Sequence, residues 1–274
     1  MNRRAEAPGG KDGSPPARLL ASSPRRSLLR GGLAGLGAAF LAGCDRLSNS
    51  AWFPEQVLSL GERLSSAVHQ TLAAKAMAQE FTEADLSPVF RSNGTANPES
   101  SEYQKLVAGE FSDWALQVSG LVEQPMSFNL AALRALPART QITRHDCVEG
   151  WSAIGKWTGV PLAQIIEQVK PTANARFVVF HCADPMESDG THPYYESIDL
   201  AEASHPQTLL AYELNGKPLP VANGAPLRLR VERQLGYKQA KYLMRIELVE
   251  SFASIGGGRG GYWEDEGYQW YAGI

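Results

Sequence analysis

Apolar positions follow two different spacings along the chain. Between residues 54 and 81 they recur every four positions, and Pro54 suits the first turn of a helix. This pattern predicts an amphipathic helix with one apolar stripe, formed by Leu60, Leu64, Val68, Leu72 and Ala76. We expect the stripe to dock on the rest of the protein. The alternative is a spacer that holds the protein away from a membrane.

From Trp114 onward the apolar runs are short, and turn residues separate them. Strands are predicted over residues 114–120, 140–146, 176–182, 208–214, 226–232 and 242–250. Short helices are predicted over 129–136, capped by Asn129, and over 160–169, with Pro161 at the start. Because strands and helices do not alternate regularly, the pattern favours an α+β fold with mixed sheets over a doubly wound sheet.

Composition predicts two further segments. Residues 86–104 hold an Asn-Gly and an Asn-Pro pair, which predicts a loop. Residues 251–274 are rich in glycine but also in aromatic side chains, which is unusual for a disordered tail. We therefore expect this tail to pack on the domain through Tyr262, Trp263, Tyr268, Trp270 and Tyr271.

The first 44 residues have the character of a disordered basic segment followed by an export signal. Arg25 and Arg26 precede an apolar run over 31–43, which is too short to span a bilayer comfortably. The paired arginines point to the twin-arginine route, which exports folded proteins to the periplasm. The sequence LAGC at 41–44 resembles a lipobox, which would make Cys44 a lipidated residue anchored to the inner membrane. An ordinary signal peptide cut nearby is the alternative.

Overall composition narrows the class of protein. The net charge is −3 over 274 residues and gives no electrostatic reason to expect a nucleic-acid partner. Three cysteines are too few for a disulfide-dense scaffold, and no CxxC or HExxH spacing marks a zinc site.

The segment RHDCVEGW at 144–151 places Cys147 in a charged setting. Arg144 and His145 would favour the thiolate, the form that attacks or binds metals, while Asp146 and Glu149 oppose it. A disulfide with Cys182 is an equally open alternative in an oxidising compartment, as is an inert thiol.

A second polar segment spans residues 223–241 and is rich in cations. Arg228 and Arg230 fall on one face of a predicted strand. Fixed charges beside a glycine turn are suited to a phosphate or pyrophosphate group. A solvated edge strand is the alternative. The segment comprises Asn223, Arg228, Arg230, Arg233, Lys238 and Lys241.

Four motifs in this order carry a family resemblance: RHDCVEGWSAIGKWTGVPL, HPQTLLAYELNGKPLP, NGAPLRL and LGYKQAKYLMRIEL. Together they resemble the molybdopterin domain of the sulfite oxidase family, closest to its small exported bacterial members. The resemblance covers residues 90–250, after a helix and linker over 45–89. It implies a sulfite oxidase-type fold, a molybdopterin cofactor, and two-electron oxygen-atom transfer on sulfite- or sulfoxide-type substrates.

The resemblance also implies roles for individual residues. Cys147 occupies the place of the molybdenum-binding cysteine, and a soft thiolate suits such a metal. Residues near the substrate would be Arg144, His192, Tyr194 and Tyr195. Residues holding the pterin would be Arg91, Ser92, Asn93, Cys182, Asn223, Arg228, Lys238, Gln239, Ala240 and Lys241.

Partners follow from the same resemblance. No CxxCH haem motif is present, so a separate electron carrier is expected, either a cytochrome or a quinone-linked membrane protein. Larger members of the family carry a dimerisation domain that this chain lacks after residue 250, which favours a monomer. Two other classes stay open: a cofactor-free binding lipoprotein, and a redox protein that uses a disulfide between Cys147 and Cys182.

Overall fold

The computed structural model describes residues 60–61, 64–65, 67–68, 76–187 and 192–274. The chain divides into two units, 1–58 and 59–274, and all described residues belong to the second. The predicted export signal, with Cys44, lies outside the described residues. Within the described part, no helix is both long enough and apolar enough to cross a membrane.

Residues 76–187 and 192–274 form ten strands and five short α-helices. The strands are β1 (Ala115–Gly120), β2 (Met126–Asn129), β3 (Arg139–Cys147), β4 (Trp151–Pro161), β5 (Phe177–Pro185), β6 (Pro193–Asp199), β7 (Leu209–Leu214), β8 (Lys217–Pro218), β9 (Arg228–Arg230) and β10 (Leu243–Val249). The helices are α1 (Ser101–Ala108), α2 (Leu130–Ala135), α3 (Leu162–Val169), α4 (Leu200–Ala203) and α5 (Tyr262–Asp265).

Two five-stranded sheets organise these elements. The first has the order β2-β1-β10-β5-β6, in which only the β1–β10 pair is parallel. The second runs β3-β4-β7-β8, with β9 also paired to β7. This mixed, largely antiparallel arrangement with short helices confirms the α+β prediction.

A single large apolar cluster joins both sheets and α3. It includes Trp114, Leu116, Val160, Phe180 and Leu229 among its buried members. The amphipathic helix α3 buries Leu162, Ile165, Ile166 and Val169, the positions that a 3.6-residue repeat brings to one face. Burial of these side chains fixes the two sheets against each other and so positions the strand ends that form the site.

The sequence predicted most of these elements. Strands β1, β3, β7 and β10 and helix α3 lie where expected, and Asn129 caps α2 by accepting a hydrogen bond from the backbone N–H of Ala132 at 2.8 Å. β5 continues three residues beyond Cys182, while β9 is shorter than predicted. Four strands, β2, β4, β6 and β8, and the helices α4 and α5 were not predicted, nor was α1, which begins inside the predicted loop 86–104.

The predicted helix over 54–81 does not extend to Phe81. Residues 76–81 are not helical, and the backbone N–H of Phe81 donates to the carbonyl of Ile142 in β3 at 2.8 Å. Gln207 holds this segment through both backbone groups of Ala78, at 2.7 and 3.1 Å. Of the predicted stripe, Leu60, Leu64 and Val68 are helical and 56%, 59% and 50% exposed, so about half of each side chain remains accessible to solvent.

The aromatic tail packs on the domain. Trp270 donates its indole N–H to the hydroxyl of Ser197 in β6 at 2.8 Å. Tyr237 donates its hydroxyl to the carbonyl of Gln269 at 2.6 Å, and residues 234 and 273 form a β-bridge. Helix α5, within this tail, packs beside β6.

Candidate cofactor site

A cavity of about 190 Å³ lies where the ends of β3, β5 and β6 approach the loop 92–95 and the segment 236–241. Its lining combines a thiol, two carboxylates, a lysine and several aromatic rings. The lining residues are Asn93, Gly94, Thr95, Cys147, Val148, Glu149, Asp184, Met186, Tyr194, Gly236, Tyr237, Gln239, Lys241, Trp263 and Tyr268.

Cys147 is the last residue of β3 and lies at the start of a tight turn. The backbone N–H of Gly150 donates to the carbonyl of Cys147 at 3.1 Å, and Gly150 adopts a φ of +84° that favours glycine. The thiol is therefore held at the strand end by backbone geometry rather than by a side-chain partner.

The ionisation of Cys147 differs from the prediction. Burial is the main cause that raises the pKa of its thiol, and Glu149 adds to the rise, while Arg91 acts in the opposite direction. The expected help from its two cationic neighbours is absent. Arg144 lies on the other face of β3 and pairs with Asp146 at 3.0 Å. The pKa of His145 falls well below its usual value because of burial and the nearby Arg230, so the ring is neutral.

Cys147 and Cys182 are both free thiols, which contradicts the disulfide alternative. Cys182 is buried in β5 opposite Leu243 of β10. Burial raises the pKa of its thiol well above the usual value, and Asp184 adds to the effect. Cys182 is therefore a protonated, packed side chain in this structure.

Arg228 and Arg230 lie on one face of β9, as predicted, but neither is exposed to solvent. Both guanidinium groups cover the ring of Trp157, at 5.0 and 4.4 Å from its centroid. Arg230 binds Glu232 through two nitrogens, at 2.9 and 2.6 Å. The solvated edge-strand alternative is therefore wrong.

Arg228 differs from Arg230 in keeping one hydrogen-bond donor that no described residue uses. Its terminal nitrogens donate to the carbonyls of Asn223 at 2.9 Å and Gln239 at 3.2 Å. Its Nε has no hydrogen-bond partner among the described residues. Burial and the neighbouring Arg230 lower the pKa of Arg228 to about 9, so it remains charged at neutral pH and would gain from a nearby anion.

Lys241 ties the upstream loop to the rest of the site. Its ammonium donates to the carbonyl of Asn93 at 2.6 Å, to that of Thr95, and to that of Ala222 at 3.2 Å. Ser92 donates its hydroxyl to the same Ala222 carbonyl at 2.5 Å. The two predicted pterin-binding segments, one near residue 92 and one near residue 241, are thus in direct contact.

Lys238 lies elsewhere. Its ammonium binds the carboxylates of Glu196, and of Glu264 at 2.5 Å, and all three side chains are buried. Lys238 is not among the residues that line the cavity. Its predicted contact with a pterin remains a prediction. In the structure, its positive charge is paired with the carboxylates of Glu196 and Glu264.

The remaining predicted residues divide between the cavity and its surroundings. Tyr194 lines the cavity and donates its hydroxyl to the carbonyl of Tyr237. Tyr195 and His192 line a second cavity of about 460 Å³, where Tyr195 donates to Asp265 at 2.5 Å. Arg144 lines neither of these two cavities. The structure therefore brings only Tyr194 of this group next to Cys147.

Ala240 and Arg91 frame the site without lining the cavity. Ala240 is buried, and its carbonyl accepts from the backbone N–H of Leu229 at 2.8 Å, which fixes the segment 239–241 beside β9. Arg91 is exposed and covers the ring of Trp151 at 5.5 Å.

A molybdopterin group fits the donors and acceptors of this site. Two buried amide atoms at or beside the cavity have no partner among the described residues: Oδ1 of Asn93 and Nδ2 of Asn223. A pterin offers matching N–H and carbonyl groups, and its phosphate matches Arg228. Gly94 has open space where a Cβ would stand, which leaves room for a ligand. Cys147 would supply the soft thiolate.

Sequence reasoning missed several cavity residues. Asp184 lies just beyond the predicted apolar strand 176–182, and nothing in the sequence marks it as a site residue. Tyr237 precedes Lys238 in the GYK motif, and the motif was interpreted through its lysine. Trp263 and Tyr268 were assigned to packing of the tail, and both also line the cavity. The aromatic content of the tail was the available signal, because large rings beside a strand end serve packing and binding equally.

Comparisons with known proteins identify the domain that these residues belong to. Residues 104–254 match the oxidoreductase molybdopterin binding domain. A putative protein-methionine-sulfoxide reductase subunit, YedZ1 of Azospira oryzae, is 36% identical over 256 residues, covering 91% of this chain and 87% of that protein.

Two other relatives are protein-methionine-sulfoxide reductase catalytic subunits MsrP, from Xanthomonas campestris pv. campestris and Xanthomonas axonopodis pv. citri. They are 41% and 40% identical over 169 residues, which is 59% of this chain and 52% of each relative. The chain thus spans about half the length of these two proteins.

Among solved structures, the sulfane dehydrogenase SoxCD from Paracoccus pantotrophus has a similar fold. The TM-score is 0.50 at 19% identity, and the match covers 65% of this chain and 46% of that one. The chain belongs to the molybdopterin-binding oxidoreductases of the sulfite oxidase family and is an enzyme that uses a molybdopterin cofactor.

Proposed function

We propose that this chain is the catalytic subunit of a reductase that removes the oxygen atom from methionine sulfoxide side chains in proteins. The proposal is supported by three relatives whose names carry this activity. The structural observation that carries it is the position of the Cys147 thiol, in a cavity that the aromatic rings of Tyr194, Tyr237, Trp263 and Tyr268 also line.

When bound, the cofactor supplies the two-electron redox chemistry of oxygen-atom transfer. The chain's residues hold that group and shape the space beside it. Cys147 provides one thiolate at the end of a rigid strand. Arg228, Asn223 and Asn93 offer charge and unpaired polar atoms to the organic part. Tyr194 braces the segment 236–241 through its bond to the Tyr237 carbonyl.

An aromatic patch, formed by Tyr237, Trp263 and Tyr268, is suited to the side chain of methionine sulfoxide. The rings of Trp263 and Tyr268 lie 5.4 Å apart, and those of Tyr237 and Tyr268 lie 5.2 Å apart. Tyr268 and Val148 both line the cavity and are 42% and 46% exposed, so the cavity is accessible from solvent. Sulfur and methyl groups gain from contact with aromatic rings.

Sulfite is the second candidate substrate, and charge disfavours it. An oxyanion needs a cation that is free to bind it. Lys241 is the only lysine or arginine among the described residues that line the cavity, and its ammonium is already bound to several carbonyls. Arg144, the predicted sulfite ligand, pairs with Asp146 outside the cavity. A neutral sulfoxide therefore fits the site better than a dianion.

Location and partners extend the same proposal. The paired arginines at 25 and 26 support export by the twin-arginine route to the periplasm, and Cys44 supports a lipid anchor in the inner membrane. The names of the relatives describe subunits, which supports a separate membrane protein as the electron donor. The catalytic chain itself would be a monomer.

One set of assays tests the function. Purified protein, matured with molybdenum, is given reduced dye and a peptide that contains methionine sulfoxide, and separately sulfite with an oxidised dye. We expect oxidation of the reduced dye and formation of methionine, with little turnover of sulfite. Turnover of sulfite alone would contradict the proposal.

Replacing Arg25 and Arg26 by lysine should leave the protein in the cytoplasm if export uses the twin-arginine route.

A further inference from the structure

Asp184 is a buried carboxyl group in the cavity that none of the roles described so far uses. It lies near the end of β5, is 4% exposed, and lines the same cavity as Cys147. The alternation of β5 places it on the same face as Phe180 and Cys182, where the rest of the strand is apolar. Burial of a carboxyl group at such a position costs free energy unless the group is hydrogen-bonded, paired with a charge or protonated.

The hydrogen bonds of Asp184 leave one oxygen unused. Its Oδ1 is buried and has no partner among the described residues. Its own backbone N–H and the hydroxyl of Thr95 interact with the carboxyl group, and so does the charge of Lys241. One oxygen atom is thus left for a ligand or a proton.

The groups that face Asp184 come from four segments. Lys241 and Tyr242 belong to the segment before β10, Tyr103 to α1, Tyr194 to β6, and Cys182 to β5 itself. Burial raises the pKa of each of these phenols and of the thiol, so all of them are neutral near pH 7. Lys241, whose pKa burial lowers to about 7, is the only other group here that titrates in the neutral range.

We propose that Asp184 is the proton donor of the reaction, and that its carboxyl group protonates the oxygen atom that leaves the sulfoxide. The inference rests on the proposed function. Burial, which outweighs the nearby Lys241 and the hydrogen bonds, raises the pKa of Asp184 to about 6. A carboxyl group with such a pKa can both hold and release a proton near neutral pH.

The reduction of the sulfoxide consumes two electrons and two protons. The sulfur–oxygen bond breaks, sulfur is reduced by two electrons, and the oxygen leaves as water with two protons. The electrons come from the membrane electron donor through the cofactor. Asp184 provides the first proton, and solvent at the cavity mouth then reprotonates it and supplies the second.

The experiment compares Asp184→Asn, Asp184→Glu and the exposed control Asp113→Asn with the natural protein, each matured with molybdenum. Molybdenum content, kcat and KM for a methionine sulfoxide peptide, and the dependence of kcat on pH are measured. Infrared spectroscopy follows the protonation of buried carboxyl groups in the same samples, without substrate.

For Asp184→Asn we expect full molybdenum content, a similar KM, and a kcat lowered about 100-fold or more. In the natural protein kcat should fall as pH rises through about 6, because the protonated carboxyl group is the active form. Asp184→Asn should lose this dependence, which separates Asp184 from Lys241. The infrared signal that titrates near this pH should disappear in Asp184→Asn, and Asp184→Glu should recover part of kcat.

Three results would overturn the proposal: an Asp184→Asn protein with unchanged kcat, one that has lost its molybdenum, or one that keeps the titrating infrared signal. Loss of molybdenum would make Asp184 a cofactor contact instead. If the natural protein reduces no sulfoxide, the proposed function itself fails, and this inference fails with it.

Discussion

The ammonium of Lys241 lies 2.6 Å from the carbonyl oxygen of Asn93, although 148 positions separate the two residues in sequence. This contact closes one side of the cavity, because it holds the loop 92–95 against the segment before β10. A charged donor that serves several carbonyls fixes their relative positions more firmly than a neutral donor does.

Replacing Lys241 by methionine should therefore loosen the loop and weaken cofactor binding. Lys241 is protonated below its pKa of about 7, and hydrogen bonds from a charged group contribute on the order of 2 kcal/mol to the free energy of unfolding, so this loss should be visible in urea denaturation at about pH 6. We also expect less molybdenum per purified chain. Lys217→Met, at an exposed lysine in β8, is the matched control and should change neither quantity. Normal molybdenum content in Lys241→Met would contradict the role given to this residue.

Lys238→Met should destabilise the fold without removing the cofactor. Burial lowers the pKa of Lys238, but Glu196 and Glu264 outweigh it, so the pKa is raised and the lysine is charged. Removing it leaves two buried carboxylates that face each other, which should cost about 3–5 kcal/mol of unfolding free energy.

Adding Glu196→Gln and Glu264→Gln to Lys238→Met should recover part of that stability. Molybdenum per folded chain should stay constant in both variants, since Lys238 does not line the cavity. A specific loss of molybdenum from stably folded Lys238→Met would instead support the pterin contact that the sequence predicted.

Trp263→Ala should raise KM for methionine sulfoxide. Contacts between sulfur and an aromatic ring contribute about 0.3–1.5 kcal/mol, which corresponds to roughly a 2- to 10-fold increase. Trp263→Phe should have a smaller effect, and Trp270→Phe, at a tail tryptophan that packs on Ser197 outside this cavity, should have none on KM. Equal KM values for Trp263→Ala and the natural protein would remove the aromatic patch from the substrate site.

The sequence allowed the position of Cys147 to be predicted because the alternation of β3 is unbroken up to it. β4, its neighbour, was missed because the buried positions of that strand are taken by Ala153, Gly155, Trp157 and Gly159. Two glycines hide the apolar alternation. At Gly159 no larger residue fits, because a Cβ there would lie 2.2 Å from the carbonyl of Leu210 in β7.

Polar residues whose partners are distant in sequence were harder to assign. Glu196 interrupts the apolar pattern of β6, and its partner Lys238 is 42 positions away. Lys238 and Lys241 lie in the same motif, and the sequence alone does not distinguish them. Lys238 forms buried ion pairs with two carboxylates, whereas Lys241 closes one side of the cavity. Only the three-dimensional arrangement of carboxylates and carbonyls separates them.

We propose that the thiolate of Cys147 binds the molybdenum. The most direct measurement is X-ray absorption at the molybdenum edge, with metal analysis, on the matured natural protein, Cys147→Ser and the buried-thiol control Cys182→Ser. We predict that folded Cys147→Ser has one sulfur ligand fewer at molybdenum than the natural protein and reduces no sulfoxide. Cys182→Ser should match the natural protein in both respects. An unchanged sulfur count and full activity in Cys147→Ser would contradict the account.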